Sequence, residues 1–346
     1  MAGKAVFRFS FGPWNIHDGA DVFGPAVRRK VDKAQKMAQY KKLGFEGVQF
    51  HDDDVVASVD VPHDQMLKEA REMKKMLDGE GLVPEFVAPR LWEDPRTIDG
   101  GYTANDAKDR EYALERSRKA IDIANAIGTR NIVLWPAREG VYVNESKDHR
   151  LAAERFVAAV DMMLGYDKNI RILGEMKPNE PMDHAYLPTT GHFLALCYKT
   201  LDPARVGILI ESAHALLAGL DPAIEMAYAI YHGKLWSVHL NDQNGLKFDE
   251  DRAFGAMNLK RAFDQVWVLY ENDYGAAGEF VGLDVKALRT QKDGEATRHL
   301  SNSRKIFLDL VEVVKKVDRR KVEALRASRD YEELEYYIVS CLMGRA

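Results

Sequence analysis

Val206-Gly-Ile-Leu-Ile-Glu211-Ser-Ala-His214 is an apolar run of strand length that stops on two side chains able to bind a metal. An unbroken apolar run bounded by polar residues suits a strand covered on both faces. Comparable runs stand on either side of it, at residues 6–11, 47–50, 82–88, 130–135, 170–176, 235–240 and 279–284. Between them lie stretches with the 3.6-residue period of helices, among them 27–43, 63–77, 107–127 and 150–164. Eight strand–helix units at this spacing predict a parallel sheet with right-handed crossovers, closed as a TIM (β/α)8 barrel. A doubly wound sheet has the same alternation, but neither G-x-G-x-x-G nor a P-loop follows any of the runs. The barrel is expected over residues 1–317, its last helix over about 296–317. Residues 318–346 read as a short helical tail. Its apolar residues Leu325, Leu334, Tyr337, Ile338 and Leu342 are expected to pack on the barrel or on a neighbouring subunit.

The chain has 346 residues, 46% apolar and 30% charged, with a formal net charge of −5. That composition suits a globular protein with a sizeable core and lacks the basic stripe of a nucleic-acid binder. Cys197 and Cys341 lie far apart without metal-type spacing, so a reducing compartment is expected rather than a disulfide framework. No run approaches the length that spans a membrane, and the N-terminal residues lack a leader pattern. A cytoplasmic location is the expectation.

Polar residues gather where the strands should end. The runs finish in Phe50-His51-Asp-Asp-Asp54, Trp135-Pro-Ala-Arg-Glu-Gly140, Glu175-Met-Lys177-Pro-Asn-Glu180, Glu211-Ser-Ala-His214, His239-Leu-Asn241-Asp242 and Asp284-Val-Lys286, and Asp249-Glu-Asp251 follows the seventh. In a barrel these ends converge on one face, where active sites form. Glu175, Glu211, His214, Asp249, Asp251 and Asp284 would then share a small volume. So many carboxylates cannot stay ionised together without a compensating cation. Oxygen-rich sites favour Mg²⁺ or Mn²⁺, and an imidazole widens the choice toward Co²⁺. Taken singly, each piece has a blander reading: a solvated acidic loop, a capping pair, a packed histidine, a core tryptophan. Joint placement at successive strand ends is what raises the functional reading.

With those motifs assembled, the chain resembles class I xylose isomerase, the actinobacterial type of aldose–ketose isomerase, from about residue 7 to about residue 317. The likeness is carried by Phe11-Gly-Pro-Trp14, Asp21-Val-Phe23-Gly24, Phe50-His51-Asp-Asp-Asp54, Gly101-Tyr-Thr-Ala-Asn-Asp106, Trp135-Pro-Ala-Arg-Glu-Gly140, Glu175-Met-Lys-Pro-Asn-Glu-Pro181, Glu211-Ser-Ala-His214, Lys247-Phe-Asp-Glu-Asp251 and Asp284-Val-Lys286. The resemblance implies two divalent metal ions. Glu175, Glu211, a residue of strand 7 and Asp284 would hold the first; Glu211, His214, Asp249 and Asp251 would hold the second, with Glu211 bridging. His51 with Asp54 would assist ring opening, and Lys177 would sit by the sugar's first oxygen. Trp14, Trp92 and Trp135 would line the substrate slot, and Phe23 would reach into a neighbouring subunit's site. The implied reaction is a C2-to-C1 hydride shift converting D-xylose to D-xylulose, with D-glucose to D-fructose as a side activity. The alternatives are an isomerase or epimerase of another sugar, such as an L-rhamnose-like one, and a non-catalytic sugar-binding relative.

Strand 7 departs from the family's His-x-Asp. Matching the histidines puts Asn241 at the ligand position, which keeps the strand intact; a one-residue slip gives Asp242, and counting back from Asp249 without gaps gives His239. Asn241 is the preferred reading, and it would leave the first site one charge poorer and its metal more weakly bound. With His239 instead, preference would move toward Mn²⁺ or Co²⁺. Trp92 replaces a phenylalanine of the family, and Ala88 replaces a threonine. A homodimer or homotetramer is expected, although the tail is shorter than the family's embracing arm.

Overall fold

In a computed structural model, the structure describes residues 6–246 and 248–345. Lys247, which opens one of the motifs above, lies outside them. Eight parallel strands close into a barrel: β1 (Phe9–Phe11), β2 (Gly47–His51), β3 (Val83–Ala88), β4 (Asn131–Leu134), β5 (Arg171–Glu175), β6 (Val206–Glu211), β7 (Leu235–Leu240) and β8 (Val281–Leu283). Each strand pairs with its neighbours in sequence, and β1 pairs with β8. The helices that return the chain are α1 (Lys33–Leu43), α2 (His63–Glu80), α3 (Ala107–Ile127), α4 (His149–Tyr166), α5 (Thr190–Cys197), α6 (Pro222–Tyr231), α7 (Leu259–Glu271) and α8 (Arg298–Lys316).

Helix ends follow local chemistry. Asp106, Asp148 and Asp221 each accept a backbone N–H at the starts of α3, α4 and α6, satisfying donors that a helix start leaves open. Gly44, Gly81 and Gly128 close α1, α2 and α3 in the left-handed conformation that a side chain would resist. Three elements are shorter than the apolar patterns suggest. β1 begins at Phe9, β8 ends at Leu283, and α1 begins at Lys33, because residues 16–32 form a loop at the top of the barrel instead of a first helical turn.

Phe9, Phe11, Phe45, Phe50 and Phe307 are all fully buried in the core between barrel and helices. Beyond α8, helices α9 (Arg319–Ser328) and α10 (Tyr331–Leu342) fold back on the outer layer. Val322, Tyr337, Ile338 and Cys341 are buried there, and Arg319 pairs with Glu271 of α7. Cys197 and Cys341 are free thiols. Among the described residues, no helix is long and apolar enough to cross a membrane.

Candidate active site

The C-terminal strand ends bring the acidic residues together. Glu175 is the last residue of β5 and Glu211 the last of β6, and the β6–β7 ladder sets Glu211 directly against His239. Asp284 follows β8. A one-and-a-half-turn helix (Ser212–Leu217) begins immediately after Glu211, so His214 rises one turn above it, their closest atoms 3.3 Å apart. Asp249 and Asp251 arrive from the loop between β7 and α7. Asp242 anchors that loop by pairing its backbone with Arg252 and accepting the N–H groups of Met257 and Asn258 at 2.7 and 2.9 Å.

Three groups result, each with one donor atom per residue and all donor atoms within 4.8 Å of one another: Glu175–Glu211–His214, Glu211–His239–Asp284 and Glu211–Asp249–Asp251. Glu211 belongs to all three. Burial dominates its titration and lifts its carboxyl to about 8, with Asp249 and Asp251 adding to the push. Burial likewise lifts Asp251 to about 7, helped by Asp249, and Asp284 to about 7, helped by Glu211. Burial also pushes Glu175 upward, but the His239 imidazole outweighs it and holds that carboxyl at about 2. For His214 burial opposes the charge, yet Glu211 and Asp249 raise it to about 9. Among the described residues, His214 Nδ1 and Asp249 Oδ1 are buried without a hydrogen-bond partner. Crowded carboxylates forced toward protonation, beside orphaned donor atoms, are what a divalent cation relieves. The side chains present therefore fit such ions.

Strand 7 contributes differently from the expectation. Asn241 Oδ1 accepts the Ala213 N–H at 2.7 Å, which turns its amide oxygen toward the start of the 212–217 helix. Its Nδ2 donates to Glu211 Oε1 at 2.9 Å and to Asp251 Oδ1 at 3.2 Å. Asn241 thus ties the Glu211 and Asp251 carboxylates together with its amide N–H₂. Asp242 is spent on its loop. His239 takes the place among the donors: its Nδ1 lies 3.1 Å from Glu175, 3.6 Å from Glu211 and 3.9 Å from Asp284. Counting back from Asp249 without gaps is the alignment that agrees with this geometry.

Trp14, His51, Trp92, Trp135 and Lys177 line one cavity of about 670 Å³. Trp14 donates from Nε1 to Asp284 Oδ1 at 2.9 Å. The His51 ring lies 4.3 Å from Trp14 and 5.1 Å from Trp92, and Trp92 meets Trp135 edge-on at 4.5 Å. Lys177 Nζ lies 3.0 Å from Asp249, 2.9 Å from Glu180 and 5.3 Å from the Trp135 ring centre. Burial lowers the affinity of Lys177 for its proton, but Asp249 and Glu180 outweigh it and raise its pKa. His51 Nδ1 stands 2.9 Å from Asp54 Oδ2. Burial raises the Asp54 carboxyl, but the His51 hydrogen bond leads the forces that bring it down to about 2. Phe23 is not among the cavity-lining residues of its own chain. It stands 80% exposed on the 16–32 loop, 6.0 Å from the Phe248 ring.

Two further cations stand at the site. Arg90, two residues past β3, places Nη2 at 2.6 Å from His51 Nδ1 and Nε at 2.8 Å from Asp53. Lys286 pairs with Asp251, which raises its pKa. An arginine shortly after a candidate strand end was the available signal for the first; Lys286 lay inside a quoted motif without an assigned role.

Fold and site together define a TIM barrel with a metal-competent carboxylate–imidazole centre at its C-terminal face. The family model described as xylose isomerase-like TIM barrel matches residues 37–266, and the chain belongs to that family. Among solved structures, L-ribulose 3-epimerase is 14% identical, with 92% of this chain and 98% of that chain covered and a TM-score of 0.66. The 3-keto-D-glucoside 4-epimerase of E. coli is 12% identical, with 88% and 100% covered and a TM-score of 0.62. A probable 3-DHS dehydratase of Bacillus anthracis is 13% identical, with 87% and 98% covered and a TM-score of 0.58. At these identities the likeness is one of fold.

Proposed function

We propose that the protein is a divalent-cation-dependent sugar isomerase or epimerase that acts on a free monosaccharide at the carbons next to its carbonyl. The observation that carries this reading is the meeting of Glu175, Glu211, His239 and Asp284 from four successive strand ends, beside a wall of three tryptophans. Glu175, Glu211, His239 and Asp284 would hold one cation, and Glu211, His214, Asp249 and Asp251 a second. Such ions supply Lewis acidity toward vicinal sugar oxygens, and the imidazole in each set favours Mn²⁺ or Co²⁺ over Mg²⁺. Lys177 adds fixed positive charge where oxygen charge develops. His51, oriented by Asp54, moves the proton that ring opening requires. The tryptophans exclude water from the reacting carbons. Phe23, apolar and almost fully exposed, is assigned to the cavity of a second copy of the chain.

Epimerisation next to a ketose carbonyl is the reading that the similar sugar epimerases favour. It needs one group to take a proton and another to return one on the opposite face, and Glu175 ends β5 while Asp284 follows β8, the strands that flank those of Glu211 and His239. Aldose–ketose interconversion, with D-xylose as first substrate, has one specific observation in its favour. The loop carboxylates and Lys177 form a second charged group that shares Glu211. Turnover of a panel of aldoses and ketoses, after chelation and reconstitution with single cations, tests the proposal. In D₂O an epimerase gains deuterium at the inverted carbon, whereas a hydride shift retains deuterium supplied at C2. Absence of turnover for every sugar with every cation would remove the enzymatic reading.

A further inference from the structure

Beneath the cation-binding side chains, the barrel interior is polar where such barrels are usually filled by branched apolar residues. Glu85 of β3 is 5% exposed, and its hydrogen-bond partners among the described residues are uncharged. Ser237 Oγ donates to its Oε1 at 2.7 Å, Gln49 Nε2 donates to its Oε2 at 3.1 Å, and Ser10 Oγ donates to Oε2 as well. A carboxylate buried among neutral groups costs free energy, so its retention calls for a task. The chain of contacts leads to one. Gln49, fully buried on β2, turns its Oε1 to His239 Nε2 at 3.1 Å. An amide oxygen only accepts, so His239 Nε2 carries a proton. The opposite nitrogen, Nδ1, faces Glu175, Glu211 and Asp284. Gly282 of β8 leaves the space: a Cβ there would come to 2.5 Å from Gln49 Nε2 and 3.3 Å from His239 Cδ2.

We propose that Glu85 and Gln49 are positioning residues that hold His239 in its Nε2–H form and aim its bare Nδ1 at the cation of the strand-end group. This rests on the reading of Glu175, Glu211, His239 and Asp284 as cation ligands. Glu85 acts through the polarity of the amide. A carboxylate accepts and never donates, so it draws the N–H₂ end of Gln49 toward itself and leaves the oxygen for His239. With Glu85 neutralised the amide is free to turn over. Its N–H₂ would then face His239 Nε2, the ring proton would move to Nδ1, and the strand-end cation would lose its nitrogen donor. A histidine ligand whose other nitrogen is held in this way depends on that partner for affinity.

The test uses the full chain stripped of metal. Mn²⁺ is titrated by calorimetry and electron paramagnetic resonance, and ¹⁵N-histidine spectra are recorded with Zn²⁺ bound. Wild-type protein should show His239 protonated at Nε2 with the metal on Nδ1. Glu85→Gln, nearly isosteric, and Gln49→Met, which deletes the acceptor, should each weaken one class of Mn²⁺ site about 10- to 100-fold. The other class should keep its affinity, and His239 should become a mixture of tautomers. A merely structural role would lower Tm without moving the tautomer. Folded variants that bind Mn²⁺ within twofold of wild type with the tautomer unchanged overturn the proposal. So does a wild-type spectrum with the metal on Nε2, which decides the matter even if neither variant folds. His239→Ala separates the layers. If it binds Mn²⁺ as wild type does, the ligand reading itself fails. If it loses a site that Glu85→Gln and Gln49→Met both keep, only the relay fails.

Discussion

The strand-end residues and the loop residues that gather around Glu211 are assembled by different physics. Glu175, Glu211 and His239 are rungs of a closed ladder, placed by backbone pairing that also holds the rest of the barrel. Asp249 and Asp251 ride on the loop between β7 and α7 and are held by charge: Lys177 and His214 on one, Lys286 on the other. Asp251 also takes a left-handed backbone with φ +45, which a non-glycine residue adopts at a cost. The strand-end group is therefore pre-organised, whereas the loop group is balanced among competing ions. Metal should find the first ready and must displace cationic side chains from the second.

The sharpest way to break this contrast is Glu211→Gln. Because Glu211 belongs to every group, both cations should weaken by more than about 100-fold, where loss of an outer partner would affect only one. Calorimetric titration with Mn²⁺ checks this; loss confined to a single site would show that the groups are independent.

His299 reaches the strand-end group from behind. Its Nε2 meets Asn15 O at 2.9 Å, and Asn15 Oδ1 accepts the N–H of Val285, next to Asp284, at 2.6 Å. Burial leads the causes that bring His299 down to about 4, with Arg28 adding to them against the Asn15 hydrogen bond. The folded state thus prefers the neutral ring. That preference is fully present above the unfolded value near 6.5 and is lost as pH falls from there through 4, a change of about 3 kcal/mol. Urea unfolding between pH 7.5 and 4 should show a drop that His299→Gln flattens; equal slopes would show that His299 does not cause it.

Asn241→Asp sharpens the contrast at the seam between the groups. It replaces an N–H₂ donor by a third charge beside Glu211 and Asp251, so metal-free protein should lose about 2 kcal/mol and should gain no new cation site. An added or tightened site would restore Asn241's position as the ligand. Lys286→Met is the mildest change. Its half-exposed ammonium competes with metal for Asp251, so the metal-free Tm should fall by about 2 °C while Mn²⁺ raises Tm by more than in wild type. A smaller metal-induced rise would mean that Lys286 assists the cation.

Much of this was legible in the chain because barrels advertise themselves. Eight apolar runs ending in polar residues predicted the strands, and the strand ends named Glu175, Glu211 and Asp284. Strand 7 was harder for a physical reason. A strand covered on both faces shows no alternation, so the sequence does not mark which residues point inward. Ser237 reaching Glu85 across the barrel marks the odd positions as inward, which puts His239 in the layer of Glu175 and Glu211. The 27–32 stretch read as helix because Val27 and Val31 extend the apolar period, yet Val27 is 47% exposed in a loop that Asp18 and Arg28 organise. Gln49 and Glu85 fell within apolar runs, and only the closed barrel shows that they face each other.

Anomalous diffraction from crystals of the Mn²⁺-reconstituted protein tests the centre most directly. A peak at bonding distance from His239 Nδ1, Glu175, Glu211 and Asp284, and a second that shares Glu211 with His214, Asp249 and Asp251, is the expected result. A strand-end ion bound by Asn241 with His239 turned away, or no ion in contact with Glu211, would contradict it.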